Sequence, residues 1–420
     1  MIMKVYLSRL VAAFLLLIAA QATFSADLDL AKPESVGMSS ERLARIKPFM
    51  QQYVDDNKLA GIVTVIARKG KIVHFEKVGK LNLESGEDIQ KDSLFRIYSM
   101  TKPIVSVAAM ILFEEGKFRL DEPVENYLPA FRNAKVLVDG VEVAQSHPFT
   151  IRELMSHQAG LTYGVFGDTT IDRQYRAANV LGKRDLAEMV DALGEIPLMN
   201  QPGTRWVYSV SADVLGRLVE VLSGQPLDEF FLTRLFVPLK MKDSFFEVPM
   251  NKVQRLGTNH RLDQETNSLT VVDRPKTSAY ARKVTFFSGG GGLVSTAEDY
   301  IRFTQMLLNG GELDGARILS PKTIELMTMN QLTPGITTGF GERPGVLSTF
   351  GFGLGFGIAT AAPLSQLGSK GEYTWGGAAG TIFWNDPQED LTAVLMVQMM
   401  MNPYPLRGQF KNLVYQAIVE

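Results

Sequence analysis

Apolar runs interrupted by short polar turns stand near both ends of the chain and predict β-hairpins. Near the amino-terminal end, Ile62–Ala67, the polar turn at residues 68–71 and Ile72–Phe75 form one such pattern. Near the carboxyl-terminal end, Gly380–Trp384, the Asn385-Asp386-Pro387 turn and Leu391–Met400 form another. We expect one antiparallel sheet assembled from these distant segments.

Apolar residues at helical spacing flank both predicted hairpins. One such stretch runs from Ser39 to about Lys58, although Pro48 requires a kink or a later helix start. The other begins after Leu406. An antiparallel sheet covered by helices is therefore the expected core.

The middle of the chain has a different pattern, with short helical stretches separated by Gly and Pro. These stretches are Thr150–His157, Lys183–Leu193, Ser209–Leu222 and Leu227–Phe236. We expect a mostly α domain over residues 118–284, inserted into an α/β domain formed by residues 27–117 and 285–420. Thr296–Leu308 and Ser320–Met329 are helical again and should return to the sheet.

The first residues are typical of a signal peptide. Lys4 and Arg9 precede the apolar run Leu10–Ala20, and Ala20-Gln21-Ala22 fits a small-x-small cleavage site. That run is much shorter than the ~20 residues that cross a bilayer. We expect a signal peptide over residues 1–22, cleaved near Ala22, an exported periplasmic protein and no stable membrane insertion. An uncleaved amino-terminal anchor is the alternative.

Composition excludes several functional classes. The 420 residues carry a formal net charge of −2 and no cysteine, so we expect no nucleic-acid partner, disulfide or thiolate catalysis. The four histidines lack HExxH spacing, so we expect neither a metal nor another cofactor. Composition leaves the oligomeric state undetermined.

Ser99-Met100-Thr101-Lys102 is the only Ser-x-x-Lys in the sequence. It opens an apolar helix, and Pro103, tolerated only in a first turn, places the helix start close to Ser99. Lys102 then lies one helical turn from Ser99, within reach of its hydroxyl. The hydroxyl stands at the positive end of the helix, beside free N–H groups that could stabilise an oxyanion.

Two further motifs supply what acyl transfer through serine requires. Tyr208-Ser209-Val210 opens a predicted helix, and the Tyr208 phenol could move a proton between Ser99, Lys102 and a leaving atom. Trp375-Gly376-Gly377-Ala378 is expected to lead into the strand Gly380–Trp384. Its glycines would let a substrate lie along the strand edge, beside a backbone N–H group.

The order of these motifs resembles that of the serine β-lactamase and penicillin-binding protein superfamily. It is most similar to the class C β-lactamase-like carboxylesterases called family VIII. His157–Leu161, Ser288–Leu293 and Ser295–Asp299 agree with that group. The resemblance implies a β-lactamase/DD-peptidase-like fold, α/β plus all-α, over essentially the whole chain after the signal segment.

The resemblance also implies roles for individual residues. Ser99 would be the nucleophile, Lys102 its activating partner and Tyr208 the general base or proton shuttle. Trp375, Gly376, Gly377 and Ala378 would bind the substrate, with the N–H groups of Ser99 and Ala378 forming the oxyanion hole. Whether Lys102 or Tyr208 takes the first proton stays open.

The sequence departs from the penicillin-recognising members at two positions. Val210 stands where they have asparagine, and Trp375 where they have the lysine of Lys-Thr-Gly. These changes remove an amide and a cation, and the tryptophan adds an apolar wall. We therefore expect a carboxylesterase for short acyl esters. The alternatives are a β-lactamase or D-alanyl peptidase, an acyltransferase, or a catalytically silent binding protein.

Other segments allow competing interpretations. His157 suggests a catalytic triad, but a helix end with the imidazole bonded to local carbonyls is the simpler hypothesis. Gly289–Gly292 indicates a close backbone crossing rather than a phosphate site. Phe350–Gly357 could line an acyl pocket or allow another element to approach, and methionines at 396–401 suggest core filling. Lys276-Thr277-Ser278 is a weaker rival for the third motif.

Overall fold

The computed structural model describes residues 28–339, 350–363 and 366–420. The predicted signal peptide, residues 1–22, lies outside these ranges. Within them, no helix combines the length and the apolar character that a membrane span requires.

An antiparallel sheet of eight strands forms the centre of the described structure, in the order β12-β13-β14-β15-β16-β1-β2-β3. The strands of the described residues are β1 Gly61–Arg68, β2 Lys71–Asn82, β3 Glu87–Asp88, β4 Phe95–Arg96, β5 Lys135–Val138, β6 Val141–Ala144, β7 Asn259–Asp263, β8 Ser268–Asp273, β9 Val294–Ser295, β10 Glu312–Leu313, β11 Ala316–Arg317, β12 Phe350–Phe352, β13 Gly357–Ala359, β14 Tyr373–Gly376, β15 Ile382–Asp386, β16 Leu391–Val397 and β17 Met399–Met400.

The two ends of the chain meet at the centre of this sheet. Strand β1 pairs with β16, so that Ile62 lies opposite Val397 and Arg68 opposite Leu391. Strand β1 also pairs with β2 through the predicted hairpin turn. The prediction of a single antiparallel sheet built from distant segments is confirmed.

Helices cover the sheet and fill the region between residues 151 and 231. They are α1 Ser40–Leu43, α2 Ile46–Asp55, α3 Thr101–Glu114, α4 Ile151–Met155, α5 Thr170–Ala177, α6 Leu186–Gly194, α7 Ser211–Ser223, α8 Leu227–Phe231, α9 Ala297–Leu308, α10 Pro321–Met327 and α11 Leu406–Tyr415. Helix α2 begins at Ile46, which places Pro48 in its first turn, where the missing N–H is tolerated.

The side chains of β1 alternate between the two faces of the sheet, and each face is covered by a different set of helices. Successive side chains of a strand point to opposite faces. Ile62 and Ile66 pack in one apolar cluster with residues of α2 and α11. Val63 and Val65 pack in the other cluster, with residues of α3 and α9. Because both faces are covered, every residue of β1 is buried.

The segment predicted as mostly α contains helices α4 to α8 and also two hairpins, β5–β6 and β7–β8. The second hairpin adds β17 by a parallel pairing of Met399 with His260. This small three-stranded sheet joins the middle of the chain to the end of β16. The domain boundaries at residues 118 and 284 stay a prediction.

Candidate active site

A short turn carries Ser99 from strand β4 into helix α3. Tyr98–Met100 form a single 3₁₀ turn, and the α-helix follows from Thr101, as the Pro103 argument predicts. Tyr98 has a φ of 44°, a left-handed conformation that is strained for a bulky residue. Its hydroxyl accepts a hydrogen bond from Asn259 Nδ2 at 2.9 Å. The turn leaves Ser99 half-buried at the amino-terminal end of a buried helix.

The Lys102 side chain is 1% exposed, and its ammonium group is held by three acceptors. Nζ donates to Gly290 O at 2.6 Å, to Tyr163 Oη at 2.8 Å and to Ser99 Oγ at 3.3 Å. A lysine ammonium has three donors, so all are used. Nζ also lies over the Tyr208 ring, 4.7 Å from the ring centroid, and forms a cation–π contact with it.

Tyr208 completes the group around the serine. Its hydroxyl lies 2.7 Å from Ser99 Oγ. Its ring packs against those of His157, Trp206 and Trp375, with centroids 5.1 to 6.1 Å apart. The structure thus brings Ser99, Lys102 and Tyr208 together, and their individual catalytic roles stay predictions.

Charged and phenolic groups surround the ammonium. Asp213 is buried on α7, and its Oδ1 accepts hydrogen bonds from the Ser288 hydroxyl and, at 3.0 Å, from Gly290 N. Burial raises the pKa of Asp213, and the nearby Lys102 charge opposes that shift. Burial also raises the pKa of Tyr163 well above its usual value. Tyr163 therefore stays protonated while it accepts from Lys102.

Three of these partners were missed by the sequence analysis: Tyr163, Asp213 and the Gly290 carbonyl. The glycine run was the available signal, since it indicated a close backbone crossing. A Cβ on Gly290 would lie 2.4 Å from Asp213 Oδ2 and 2.9 Å from Tyr163 Oη. Only glycine lets the main chain pass there and present its carbonyl to Lys102.

The Trp375-Gly376-Gly377-Ala378 segment ends one strand and leads through a turn into the next, so the predicted strand does follow it but begins two residues later than expected. Trp375 and Gly376 belong to β14, and β15 starts only at Ile382. The intervening residues turn tightly, because Gly377 N donates to Thr381 O at 2.9 Å and Gly380 has a φ of 90°. Glycines that suit a strand edge also suit a turn, and the sequence pattern did not separate the two.

The turn between β14 and β15 packs directly against the segment that precedes Ser99. A Cβ on Gly377 would lie 2.4 Å from Ile97 O, so glycine permits the contact. Ala378 is half-buried, and its N–H donates no hydrogen bond to any part of the chain that the structure describes. This is the arrangement expected of an oxyanion donor, whose partner arrives with the substrate.

Arg407, at the start of α11, holds this turn in place and was also missed. Its guanidinium donates to Gly377 O at 2.6 Å, Thr381 O at 2.9 Å and Gly380 O at 3.3 Å. Burial lowers the pKa of Arg407 from its ordinary value. A planar group with five donors suits three carbonyls of one turn.

Trp375 and Phe352 form an aromatic wall beside Tyr208. The buried Trp375 ring lies 5.6 Å from Tyr208 and 5.2 Å from Phe352. Phe352 comes from the Phe350–Gly357 stretch, where a Cβ on Gly353 would lie 2.2 Å from Met327 O. The stretch therefore contributes to the site and also allows another element to approach.

The His157 ring packs against the Tyr208 ring, and among the described residues it forms no hydrogen bond with Ser99. The prediction that it bonds local carbonyls is wrong, because Nδ1 lies 3.1 Å from Ser209 Oγ. His157 follows the end of α4 and has a φ of 59°, in the left-handed region. Burial lowers the pKa of His157 well below its usual value, so the ring is neutral.

The rival Lys276-Thr277-Ser278 segment has a structural role. Ser278 Oγ donates to Asp273 Oδ2 at 2.7 Å, and Asp273 also pairs with the buried Arg96 at 2.6 Å. Over residues 28–339, 350–363 and 366–420, no cluster of three or more histidine, aspartate or glutamate side chains could hold a metal ion.

Comparison with known proteins yields a consistent group of relatives. The Beta-lactamase family model matches residues 46–411. Protein Rv1367c of Mycobacterium tuberculosis (strain ATCC 25618 / H37Rv) is 34% identical over 363 residues, which cover 83% of this chain and 88% of that protein. Esterase EstB of Burkholderia gladioli is 29% identical over 84% of this chain and 89% of its own length.

A solved structure agrees with these sequence matches. It is described as EstCE1, a hydrolase with promiscuous acyltransferase activity. It superposes with a TM-score of 0.76 at 25% identity, over 90% of this chain and 99% of its own. The expected β-lactamase/DD-peptidase-like fold is confirmed.

Proposed function

The chain belongs to the β-lactamase family and is a serine hydrolase, and from that premise we propose that it cleaves simple carboxylic esters through an acyl-serine intermediate. The observation that carries this proposal is the contact of Ser99 Oγ with Tyr208 at 2.7 Å and Lys102 at 3.3 Å. A serine hydroxyl needs such a base before it attacks. Val210 and Trp375, which differ from the residues of the penicillin-recognising members, are the reason for proposing esters as substrates and not β-lactams.

In the first step, Ser99 Oγ bonds to the ester carbonyl carbon. The Lys102–Tyr208 pair acts as the base in the form that carries one proton fewer than an ammonium and a phenol together, and it takes the Ser99 proton. The carbonyl oxygen becomes negative between the N–H groups of Ser99 and Ala378. When the carbon–oxygen bond to the alcohol breaks, the alkoxide takes that proton from the pair. An acyl-serine and a free alcohol result.

The second step reverses these roles with water. The Lys102–Tyr208 pair takes a proton from a water molecule, whose oxygen bonds to the acyl carbon. The bond to Ser99 Oγ breaks, and Ser99 recovers a proton from the same pair. The products are a carboxylic acid and the free enzyme, so the proton balance closes without a cofactor.

The surroundings of Tyr208 favour esters over β-lactams. Val210 is fully buried at the start of α7 and offers no amide to an acylamino side chain. Trp375 lies where a lysine would bind a substrate carboxylate. An uncharged substrate leaves no buried charge unpaired against this wall, whereas an anionic β-lactam does.

Two substrates and two alanine variants test the proposal. The purified protein should hydrolyse p-nitrophenyl butyrate and turn over nitrocefin far more slowly. Ser99→Ala should lower kcat/KM for the ester by roughly 10³-fold or more. Ser106→Ala is the matched control, since Ser106 is a buried serine two turns further along α3. An active Ser99→Ala variant, or equal turnover of nitrocefin, would overturn the proposal.

Acyl transfer to another alcohol is the second candidate. The EstCE1 neighbour is described as having promiscuous acyltransferase activity, and the same acyl-serine can be attacked by an alcohol in place of water. Adding a primary alcohol to the butyrate assay distinguishes the two. A transferase forms the new ester as its main product, whereas a hydrolase releases mainly butyrate.

A further inference from the structure

A cavity of about 500 Å³ is lined in part by Tyr98, the residue that precedes Ser99. Its apolar lining comes from the β7–β8 hairpin and from the residues after β16: Leu262, Val272, Met400, Met401 and Pro403. Volumes of this size are typical of small-molecule sites. None of Trp206, Tyr208, Phe352 and Trp375 lines it.

Two lining residues connect this cavity to the immediate neighbours of Ser99 and Ala378. Tyr98, the residue before the nucleophile, forms one wall, fixed by its hydrogen bond from Asn259. Met401 forms another, and its N–H donates to Ala378 O at 3.0 Å. The cavity is thus bordered by the residue preceding Ser99 and by a residue bonded to Ala378, the expected oxyanion donor.

The direction of the substrate follows from the proton path. The leaving alcohol must take its proton from the Lys102–Tyr208 pair, so it lies on the Tyr208 side, along the aromatic wall. The carbonyl oxygen points to Ala378. The remaining substituent of the carbonyl carbon is the acyl chain, for which the cavity beside Tyr98 is the available apolar space.

The lining indicates which acyl groups fit. Met400 and Met401 continue a cluster that the sequence analysis interpreted as core filling, and for Met396 and Met399 that is correct. Met401, in contrast, is 75% exposed on the cavity wall. Methionine side chains are flexible and polarisable and adapt to apolar ligands of varied shape. The polar part of the lining consists of Asn259, Arg261, Gln264 and Asp273, and the Asp273 carboxylate is engaged by Arg96.

We propose that this cavity is the acyl-binding pocket and that it selects medium-length or branched aliphatic acyl groups. This inference rests on the proposed esterase function. It assigns Val272, Leu262 and the Met400–Met401 pair to acyl-chain specificity, and it leaves the aromatic wall to the alcohol.

The test fills the pocket with Val272→Trp. Val272 is a 42% exposed strand residue, so a larger side chain there reaches the cavity without disturbing the core. We expect the ratio of kcat/KM for p-nitrophenyl hexanoate to that for the acetate to fall about fifteenfold. The hexanoyl group has four more methylenes than the acetyl group, and loss of burial of two of them reduces the ratio about fourfold each. Val141→Trp is the matched control, since Val141 is a 63% exposed valine in the β5–β6 hairpin.

The outcomes separate this inference from the proposed function. If the wild-type protein hydrolyses both esters and Val272→Trp leaves their ratio equal to that of Val141→Trp, the pocket assignment is wrong. If Val272→Trp instead changes the preference among acetates of short and long alcohols, the cavity holds the alcohol, and the assignment is again wrong. A wild-type protein inactive on every ester would contradict the function itself.

Discussion

At the scale of single residues, the three hydrogen bonds of Lys102 join one neighbour in sequence and two distant residues. Ser99 and Lys102 lie three residues apart on one helical turn, so their contact follows from helix geometry. The other partners of Lys102, Tyr163 and Gly290, lie 61 and 188 positions away in sequence. Nothing in the sequence pattern of either segment predicts that it contacts Lys102. These contacts arise from the packing of α3 against α7 and the glycine run.

The ammonium of Lys102 gives the first prediction. Tyr163→Phe removes one of its three acceptors and leaves a buried charged donor unsatisfied. Because a hydrogen bond to a charged group contributes about 1.5–3 kcal/mol, we expect kcat/KM for p-nitrophenyl butyrate to fall by about 10- to 100-fold.

Tyr373→Phe is the control for that variant. Tyr373 is also a buried phenol, and it accepts a hydrogen bond from Asn385 Nδ2 at 2.8 Å, in the sheet rather than at Lys102. It should lose stability but not activity per folded molecule. Equal activity of the two variants would show that the Tyr163 hydroxyl does not support the lysine.

At the scale of elements, the sequence predicted helices and long strands better than the turns that join them. Helix α3 begins beside Ser99 as expected, because Pro103 limits where a helix can start. The strand expected over Gly380–Trp384 begins later, at Ile382. The turn that replaces its beginning is fixed by Arg407, 30 positions from Gly377. Hydrogen bonds from a distant helix leave no pattern in the local sequence of the turn.

The hydrogen bonds of Arg407 to this turn give the second prediction. In Arg407→Lys, one ammonium replaces a planar group that bonds three carbonyls, so the turn bearing Ala378 loosens. Removal of a whole oxyanion donor costs about 10²–10³ in kcat, and we expect a displaced donor to cost about tenfold. Since the oxyanion forms only during reaction, kcat should fall while KM changes little.

Arg317→Lys is the matched control for Arg407→Lys. Arg317 also bonds backbone carbonyls, those of Leu319 at 3.2 Å and Gly310 at 3.4 Å, in the β10–β11 region. It should retain wild-type kcat. A change of KM alone in Arg407→Lys would indicate a role in substrate binding and contradict the oxyanion role.

At the scale of the whole molecule, the fold was predictable because its core strands are uninterrupted apolar runs. Strand β16 is buried along its full length, as is β1. Such strands must be covered on both faces, which implies flanking helices from elsewhere in the chain. The signal peptide and the domain boundaries stay predictions.

Burial of His74 in this sheet gives the third prediction, which concerns global stability. His74 is 7% exposed on β2, and its Nε2 lies 2.7 Å from Thr64 Oγ1. Burial lowers the pKa of His74 from 6.5 to about 4. Below pH 6.5 the unfolded state therefore binds a proton that the folded state does not, and the stability contributed by neutral His74 is lost as the pH falls toward 4.

Urea unfolding at pH 7.5 and pH 5 measures this effect. At 1.36 kcal/mol per pH unit, the wild-type protein should lose roughly 2 kcal/mol more between the two pH values than His74→Asn does. His147→Asn is the control, because His147 is exposed and pairs with Glu153 at 2.8 Å. If His74→Asn and the wild-type protein lose the same stability, His74 is not the group that titrates.

Covalent labelling of the nucleophile tests the central claim most directly. The protein is incubated with a fluorophosphonate, residual hydrolysis of p-nitrophenyl butyrate is measured, and the modified peptide is identified by mass spectrometry. The account predicts one adduct per molecule, on Ser99, with activity lost in proportion to labelling and with much slower labelling of Tyr208→Phe. Full modification of Ser99 with activity retained, or inactivation by an adduct on another serine, would contradict it.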